Sequence, residues 1–461
     1  MQSIIIVGAS LAGLSAARAL RAGGFGGELT VVGAEDARPY DRPPLTKDFL
    51  RGSCSTADLA LEADEDLGAR WLLGSAAVAL DAATRTVGLA DGTAVRADGV
   101  VLATGADAVD HPLLPIGPNV HTLRTMADAE RLRAELGDGR RLVIVGAGFI
   151  GTEIAASAAA LGADVTLLSQ DAVPLRRALG EPIGDFLAAE HRAHGVRVIA
   201  PARIADVDHD GRAGDRTGAV TALRLADGTV LPADVVVVGI GSRAATGWLA
   251  GSGLRLAADG GVLCDESGRA LASEGADRDR TDPGTVDPGT VDPGTVDPGT
   301  DGPGAVVDGV VAVGDCAAWW DPYRGTHHRL EHWTGAVERA GVVAGVLLDA
   351  PGRPCRAPYF WSDQYDLRLQ VAGVVTGHDD LRIEEGSVAG RSFLARYYRA
   401  GEPVAVLGVN QPRLFTRARR SLGAGPAAGS SAVSAGAGAT GSAADGSVGN
   451  TVDGTGTALA S

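Results

Sequence analysis

The sequence predicts an α/β protein in which one parallel-sheet domain is inserted into another, with a small α+β domain after them. Three stretches lead to this prediction. An apolar strand, a glycine-rich turn and a helix occur at 3–24 and again at 141–168, and a later apolar strand ends in Gly314-Asp315. Parallel sheets bind ligands at the carboxyl ends of their strands, so each turn belongs at a ligand-binding edge.

The first turn follows a continuous apolar run, Ile4 to Val7, which is typical of a strand buried on both faces. Its ligand-facing positions are small: Gly8, Ser10, Ala12 and Gly13. Small residues let backbone N–H groups and the helix N-terminus reach a pyrophosphate. Ser10 replaces the middle glycine of the usual fingerprint, so this turn alone is a weak indication.

The second turn is a complete fingerprint, with Gly146, Gly148 and Gly151, and the helix that it opens carries Ile150 and Glu153. Strand, glycines, helix and second strand occur in the order that dinucleotide binding requires. The two turns and the late Gly-Asp together indicate two dinucleotide cofactors.

Composition limits the remaining possibilities. The chain has 461 residues, 45% hydrophobic and 4% aromatic, with a formal net charge of −16 that argues against a nucleic-acid partner. Its four cysteines form no CxxC or metal-ligand spacing, so we expect neither a disulfide framework nor a metal site. No apolar run reaches membrane-spanning length and no cleavable signal precedes the first strand, so we expect a cytoplasmic protein without a membrane partner.

A constrained loop follows the second strand. Glu35 comes about twenty residues after the first fingerprint, where an acid can hold an adenosine ribose, although a solvated turn acid fits equally well. The segment 38–47 then contains two consecutive prolines that fix its backbone. Arg42 and Lys47 are therefore expected on a rigid loop at the ligand edge.

This loop, RPYDRPPLTKDFL, closely resembles that of the FAD-dependent, NAD(P)H-linked ferredoxin reductases, the family of the putidaredoxin, rubredoxin and biphenyl-dioxygenase-system reductases. The resemblance covers almost all of residues 1–420. It continues through Val101-Leu-Ala-Thr-Gly105, Leu123-Arg-Thr125, the second fingerprint, Val313-Gly-Asp315, Glu331-His-Trp333-Thr and Phe360-Trp-Ser-Asp-Gln-Tyr365.

The resemblance implies two nested Rossmann-like domains of the glutathione-reductase type, followed by a small C-terminal α+β interface domain. We expect the FAD-binding domain at 1–120 and 242–330, the NAD(P)H-binding domain at 121–241 and the interface domain at 331–420. Nesting is needed because the first fingerprint and Gly314-Asp315 would serve one flavin from either side of the second fingerprint.

Two segments depart from the family. Residues 271–304 contain a DPGTV repeat of turn-forming residues, too poor in apolar side chains to pack, and we interpret them as a flexible insertion. Residues 421–461 are rich in Ala, Gly and Ser and are expected to be a disordered tail.

The resemblance also implies site residues. Lys47 and Glu153 would meet behind the flavin N5 as the catalytic pair, each holding the other charged, whereas the alternative is a surface lysine and a helix-start glutamate. The FAD contacts would be Gly8, Ala12, Gly13, Lys47, Val78, Arg124, Asp315 and Trp333. Further cofactor-binding candidates at the same motifs are Ser10, Glu35, Arg42, Thr104, Gly105 and Gly314 for FAD, and Gly146, Gly148, Ile150, Gly151, Glu153, Ser169, Arg176 and Gly241 for the nicotinamide nucleotide.

The preferred nucleotide depends on the residue after the strand 165–168. NADH enzymes commonly have Glu or Asp there, to hold both ribose hydroxyls and repel a 2′-phosphate, but this chain has Ser169. Arg176 follows on a loop that could reach a phosphate. We therefore expect NADH to be used and NADPH to be accepted as well.

The expected activity is transfer of a hydride from NAD(P)H to FAD, then of single electrons to a small iron–sulfur ferredoxin that serves a cytochrome P450 or an oxygenase. The alternatives are another pyridine nucleotide-disulfide oxidoreductase, which would need a redox-active cysteine, and an NADH-responsive regulatory protein related to apoptosis-inducing factor. An acidic ferredoxin requires a basic patch, for which Arg324, Arg329 and Arg356 are the candidates.

Overall fold

The computed structural model of the protein describes residues 1–62, 65–211, 218–273, 304–322, 324–350, 356–376 and 378–422. Apart from a few residues at their edges, the expected insertion at 271–304 and the expected tail at 421–461 lie outside the described residues, as does Cys355.

The described helices include long ones that open at the predicted turns. In chain order they are α1 Leu11–Ala22, α2 Asp48–Arg51, α3 Met126–Glu135, α4 Phe149–Ala160, α5 Arg176–Leu179, α6 Glu181–Ala193, α7 Trp333–Leu347 and α8 Pro412–Ser421. Within the described ranges, no helix combines the length and apolar character needed to cross a membrane.

The strands form two parallel-centred sheets, an antiparallel C-terminal sheet and smaller sheets between them. In chain order they are β1 Ser3–Val7, β2 Glu28–Val32, β3 Ala69–Leu72, β4 Ala77–Asp81, β5 Thr86–Leu89, β6 Ala94–Arg96, β7 Gly99–Leu102, β8 Ala106–Ala108, β9 Val120–His121, β10 Arg141–Val145, β11 Asp164–Leu168, β12 Arg197–Ile199, β13 Ile204–His209, β14 Val220–Leu225, β15 Val230–Pro232, β16 Val235–Val238, β17 Ser242–Ala244, β18 Val262–Cys264, β19 Arg269–Leu271, β20 Val306–Ala312, β21 Ala317–Asp321, β22 Thr326–Arg329, β23 Tyr359–Gln364, β24 Leu367–Gly373, β25 Asp380–Ser387, β26 Ser392–Arg399 and β27 Glu402–Val409.

The outer sheet is built around the first strand. Its order is β22-β21-β18-β19-β20-β7-β1-β2-β3, and the run β20-β7-β1-β2-β3 is parallel. Ile4, Ile5 and Ile6 are at most 1% exposed because both faces of the strand are covered, and helices α1 and α7 pack against each other beside it. This burial explains the continuous apolar run in the sequence.

The inner sheet repeats the arrangement, in the order β12-β11-β10-β16-β9, with every pair parallel. The chain leaves the outer sheet through β8 and returns through β17, and these two strands pair with each other, Ser242 opposite Ala108. Strands β1, β2, β3 and β7, before residue 103, therefore share one sheet with β18 to β22, after residue 261, while β9 to β12 and β16, between 120 and 238, form another. The predicted nested fold is confirmed.

The loop that carries Lys47 packs on the inner domain, although the sequence assigns it to the outer one. Tyr40, Leu45, Phe49 and Leu50 are buried in the same apolar cluster as Ile154 of α4. This packing brings Lys47 to the first turns of α4.

The C-terminal domain contains an antiparallel sheet of order β23-β24-β27-β26-β25. One face packs on the inner domain, where Ile183 and Leu187 of α6 join Leu369 and Phe393 in one apolar cluster. Helix α7 begins at Trp333, ahead of this sheet in the chain, and the short α8 follows its last strand.

Deleting residues 281–300 should leave the fold intact. The strands that flank the insertion are paired, and the Ala272 N–H donates to the Ala305 carbonyl over 2.8 Å, so a shorter connection can close the gap. Loop-closure entropy predicts a free energy of unfolding within about 1 kcal/mol of wild type. Urea unfolding and bound-flavin content check this, with a Gly/Ser replacement of equal length as the control. Loss of flavin on deletion, but not on replacement, would contradict it.

Candidate functional site

The first glycine turn is dictated by close packing of backbone. Gly8 has φ +124°, and a Cβ atom there would lie 2.0 Å from the Ala103 carbonyl oxygen at the end of β7. A Cβ atom at Gly13 would lie 1.8 Å from the Gly8 carbonyl oxygen. A Cβ atom at Gly314 would come within 2.8 Å of the Ala12 methyl, so the late Gly-Asp is brought against the first turn.

Arg42 connects residues 38–47, which we call the proline loop, to this turn through hydrogen bonds. Its guanidinium donates to the Glu35 carboxylate and to the Arg124 carbonyl, each at 2.5 Å, and to Ser10 Oγ at 3.3 Å. Tyr40 also donates its hydroxyl to Glu35, over 2.5 Å. Glu35, which the sequence marks as a ribose ligand, is thus engaged by side chains of its own loop.

Arg124 and Asp315 form the second polar group of this edge, with 2.7 Å between guanidinium nitrogen and carboxylate oxygen. Burial disfavours the arginine charge, but Asp315 outweighs this effect and raises the pKa of Arg124, which stays charged. Gly105 lies beside the guanidinium, since a Cβ atom there would be 3.4 Å from Arg124 Nη2, and Thr104 donates its hydroxyl to the Ala245 carbonyl over 2.8 Å.

Helix α7 begins at this edge. Trp333, its first residue, donates its indole N–H to Asp41 Oδ1 over 2.9 Å, and its ring lies 6.1 Å from that of Trp361. Burial raises the pKa of Asp41, against the opposing effects of Trp333 and Lys47. The preceding His332 is half-buried, and removal of its ring from water lowers its pKa to about 4. Its Nδ1 atom is buried and has no hydrogen-bond partner within the described part of the chain.

Lys47 and Glu153 meet in the interior. Lys47 Nζ lies 2.6 Å from Glu153 Oε2, and the two residues are 9% and 6% exposed. Thr46 also donates its hydroxyl to Oε2, over 2.6 Å, and Pro43 accepts from Lys47 over 3.1 Å. The alternative of a surface lysine and an unpaired helix-start glutamate is therefore wrong.

Sequence reasoning missed the partner of the other carboxylate oxygen. Ser362 on β23 donates its hydroxyl to Glu153 Oε1 over 2.6 Å. It belongs to a motif quoted above for its resemblance, and strand alternation puts Ser362 and Gln364 on one face of β23. The available signal was two polar residues, Ser362 and Gln364, on one face of a strand that begins with three aromatic residues.

In the second glycine turn, two glycines are required by close backbone packing and the third faces open space. A Cβ atom at Gly146, where φ is +109°, would lie 2.2 Å from the Gly239 carbonyl oxygen, and one at Gly151 would lie 2.0 Å from that of Gly146. Gly148, which caps α4, has nothing within 4 Å of such an atom. The adjacent Ile150 is 41% exposed. The helix end at Gly148 is therefore open to a ligand.

The remaining residues that the sequence marks as cofactor contacts lie on separate elements. Ser169 is 4% exposed, and its hydroxyl donates to the Val173 carbonyl over 3.4 Å. Arg176 is exposed and lies 3.5 Å from Glu181, while Gly241 has φ +131° after the inner sheet's β16. Val78 lies on β4, in a separate three-stranded sheet, and is 52% exposed.

One surface expectation is wrong. Arg329 is not a docking residue, because its side chain is 9% exposed and pairs with Asp259 at 2.9 Å and with Glu331. Arg324 is only partly exposed and pairs with Asp321 at 3.5 Å, while Arg356 is exposed. A more exposed basic surface lies on α8, described below.

Comparison with known proteins identifies the family to which this chain belongs. Residues 2–274 match the family described as Pyridine nucleotide-disulphide oxidoreductase, and residues 359–437 match the domain described as Reductase C-terminal. The chain belongs to the pyridine nucleotide-disulphide oxidoreductase family.

Within this family, it is similar to rhodocoxin reductase of Rhodococcus erythropolis, with 34% identity over 91% of this chain and 89% of that one. It is 32% identical to putidaredoxin reductase of Pseudomonas putida, over 91% of each chain. A solved covalent complex of putidaredoxin reductase and putidaredoxin superposes with a TM-score of 0.79 at 30% identity, covering 91% of this chain and 93% of that one.

The residues present fit the FAD and the nicotinamide nucleotide that the family implies. The first turn is closed by glycines at backbone contact distance, with charged Arg124 beside it to meet a pyrophosphate. His332 Nδ1 is a buried polar atom without a partner among the described residues, as expected where a cofactor supplies one. Gly148 offers the corresponding open helix end in the inner domain.

Substitutions of Gly148, which caps α4, and of Gly151, within α4, should distinguish a loss of nucleotide binding from a loss of backbone packing. Gly148→Ala meets no atom and has φ −78°, so it should fold normally but weaken NADH binding about tenfold by placing a methyl at the open helix end. Gly151→Ala meets the Gly146 carbonyl and should lower the free energy of unfolding by at least about 2 kcal/mol. Nucleotide titration and urea unfolding measure the two effects. Unchanged NADH affinity in Gly148→Ala would refute the assignment.

Proposed function

We propose that this chain is an FAD-dependent NAD(P)H:ferredoxin oxidoreductase. It takes hydride from NADH, with NADPH accepted as well, and passes electrons singly to a small iron–sulfur ferredoxin that serves a cytochrome P450 or an oxygenase. The observation that carries the proposal is the buried Lys47–Glu153 pair, which joins the proline-containing loop 38–47 to the helix that opens at the second glycine turn. The relatives' names, rhodocoxin reductase and putidaredoxin reductase, support the nature of the acceptor.

The nested domains divide the work in this proposal. The outer domain, 1–120 and 242–330, holds FAD through the first glycine turn and Asp315, and Arg124 reaches this site from the start of the inner domain. The inner domain, 121–241, holds the nucleotide at Gly148. The C-terminal domain, 331–420, forms the interface. FAD, when bound, accepts two electrons together and releases them one at a time.

The protein's own groups set the electrostatics of the flavin pocket. Glu153 holds the Lys47 ammonium in place, so the pair would offer a fixed positive charge to a bound flavin as it gains negative charge on reduction. The N-terminus of α7, with Trp333 anchored on Asp41, adds the positive end of a 15-residue helix. These groups are ordered before the reaction, so they need no reorganisation during it.

The cysteines support electron transfer over disulfide exchange. Cys264 and Cys316 are buried free thiols whose pKa values are raised by burial, so neither provides the thiolate that disulfide chemistry needs. Cys54 is partly exposed, but burial also raises its pKa.

Helix α8 supports an acidic protein partner. Arg413, Arg417 and Arg420 are exposed at spacings of four and three residues, which aligns them on one helix face, while Phe415 and Ala418 face the core. This basic stripe stands out on a chain of net charge −16. A cytoplasmic location, where metabolism supplies NAD(P)H, completes the proposal.

Rapid mixing tests the activity directly. NADH should bleach the flavin promptly, and a ferredoxin should reoxidise it rapidly, measured as ferredoxin-dependent cytochrome c reduction. A persistent charge-transfer absorbance with slow reoxidation would instead support the NADH-responsive regulatory protein.

Lys47→Met should slow flavin reduction by NADH at least about tenfold, because it removes the positive charge that Glu153 holds. It also leaves a buried carboxylate unpaired, which should cost about 3 kcal/mol of stability. The double variant Lys47→Met/Glu153→Gln is the matched control, and it should recover stability without recovering the rate. Recovery of both would show that the single variant acted through folding alone.

Ser169→Glu should depress NADPH use more than NADH use. A carboxylate at the end of β11 repels a 2′-phosphate and can accept from ribose hydroxyls, so the relative kcat/KM should change by at least ~1 kcal/mol. Arg176→Ala should act in the same direction if its side chain meets that phosphate. Ser387→Glu, which adds the same charge at the exposed end of β25, is the control. Equal losses with both nucleotides would contradict the assignment.

A further inference from the structure

Glu153 is held from two sides. Its Oε2 accepts from Lys47 and Thr46, while its Oε1 accepts from Ser362, a residue of the C-terminal domain that is 0% exposed. The carboxylate at the start of α4 is therefore bonded both to the loop of the outer domain and to strand β23.

The bonding continues behind Ser362. Gln364 Nε2 lies 3.1 Å from Ser362 Oγ and 3.0 Å from Thr152 Oγ1. Gln364 Oε1 lies 3.2 Å from His191 Nε2, and His191 Nδ1 lies 2.7 Å from the Tyr365 hydroxyl. Gln364 and His191 are 1% and 0% exposed and Ser362 is 0% exposed, so the path is closed to water from His191 to Glu153, while Tyr365 at its outer end is partly exposed.

The direction of every bond in this path is determined by its neighbours. Ser362 gives its one proton to Glu153, and Thr152 gives its proton to backbone carbonyls of α4's first turn, so both must accept from the amide of Gln364. Gln364 Oε1 must then accept from His191 Nε2–H.

Neutral His191 completes the path. With the proton on Nε2, its Nδ1 accepts from the Tyr365 hydroxyl. Burial lowers the pKa of His191 to about 4, so it is neutral at pH 7. The result is a single run of donors, from Tyr365 through His191, Gln364 and Ser362, that ends on the Glu153 carboxylate.

We infer that Ser362, Gln364 and His191 are positioning residues for electron entry: they hold the Glu153 carboxylate, and through it the Lys47 ammonium, in the place and charge state that flavin reduction requires. This inference rests on the proposed function. Hydrogen bonds to a charged acceptor are stronger than neutral ones, and without Ser362 one carboxylate oxygen loses its donor in a dry interior. The ammonium would then be less firmly placed.

A purely structural role predicts something different. Ser362, Gln364 and His191 also join the C-terminal sheet to the inner domain, so their loss could simply loosen that interface. Loosening would lower the free energy of unfolding without changing the field at the flavin. The midpoint reduction potential of the flavin responds to the placement of the Lys47 charge and therefore separates the two roles.

The test uses the flavin-loaded full chain in four variants. Ser362→Ala removes the last donor and His191→Phe removes an earlier one with little change of ring volume, whereas His191→Gln can place an amide N–H near the lost Nε2–H. Ser392→Ala, whose hydroxyl bonds Asn410 and Gln411 in the same domain, is the matched control. The measurements are the flavin midpoint potential by chemical titration without nucleotide, the NADH reduction rate by stopped flow, and urea unfolding.

We expect Ser362→Ala to make the potential more negative and to slow flavin reduction about tenfold, with little change in the KM for NADH. His191→Phe should shift both in the same direction by less, His191→Gln should recover them, and Ser392→Ala should leave them at wild-type values. A wild-type potential in both Ser362→Ala and His191→Phe would overturn the inference, whatever their stability. A wild-type protein that NADH does not reduce would overturn the proposed function, while the potential titration would still decide the positioning role.

Discussion

The buried contact between Lys47 and Glu153 is the constraint on which the rest of the structure depends. Removing two charges from water costs several kcal/mol for each ion, and a buried pair persists only when further hydrogen bonds satisfy its remaining atoms. Here Thr46, Pro43 and Ser362 provide them. Because these groups come from the proline loop and from β23, the pair forms only when all three domains are assembled.

Apolar packing fixes the positions of these elements relative to the Lys47–Glu153 pair. The proline loop is anchored by Leu45 and Phe49 in the core of the inner domain, and α6 of the same domain is anchored on the C-terminal sheet through Leu187 and Phe393. The polar contacts at the pair are thus set by clusters of fully buried side chains around it, which tolerate little displacement.

The sequence predicted the architecture because its signals are local. A buried parallel strand is a continuous apolar run, and a turn that approaches another backbone needs glycine, as at Gly8 and Gly146. Partners across domains leave no such signal. Glu35 bonding to Arg42, Arg329 buried against Asp259 and Ser362 bonding to Glu153 all depend on which faces meet, and residue type alone does not reveal this. The Lys47–Glu153 pair was reached through family resemblance.

The pairing of β19 with β20 has a consequence for protein engineering. The strands that flank the departure from the family are joined at their ends, by the bond from Ala272 to Ala305, and lie next to each other inside the outer sheet. A guest domain whose two termini lie close together can be accommodated between such strands. An iron–sulfur protein grafted there would turn the reductase and its acceptor into one covalent unit, with electron delivery independent of the concentration of either.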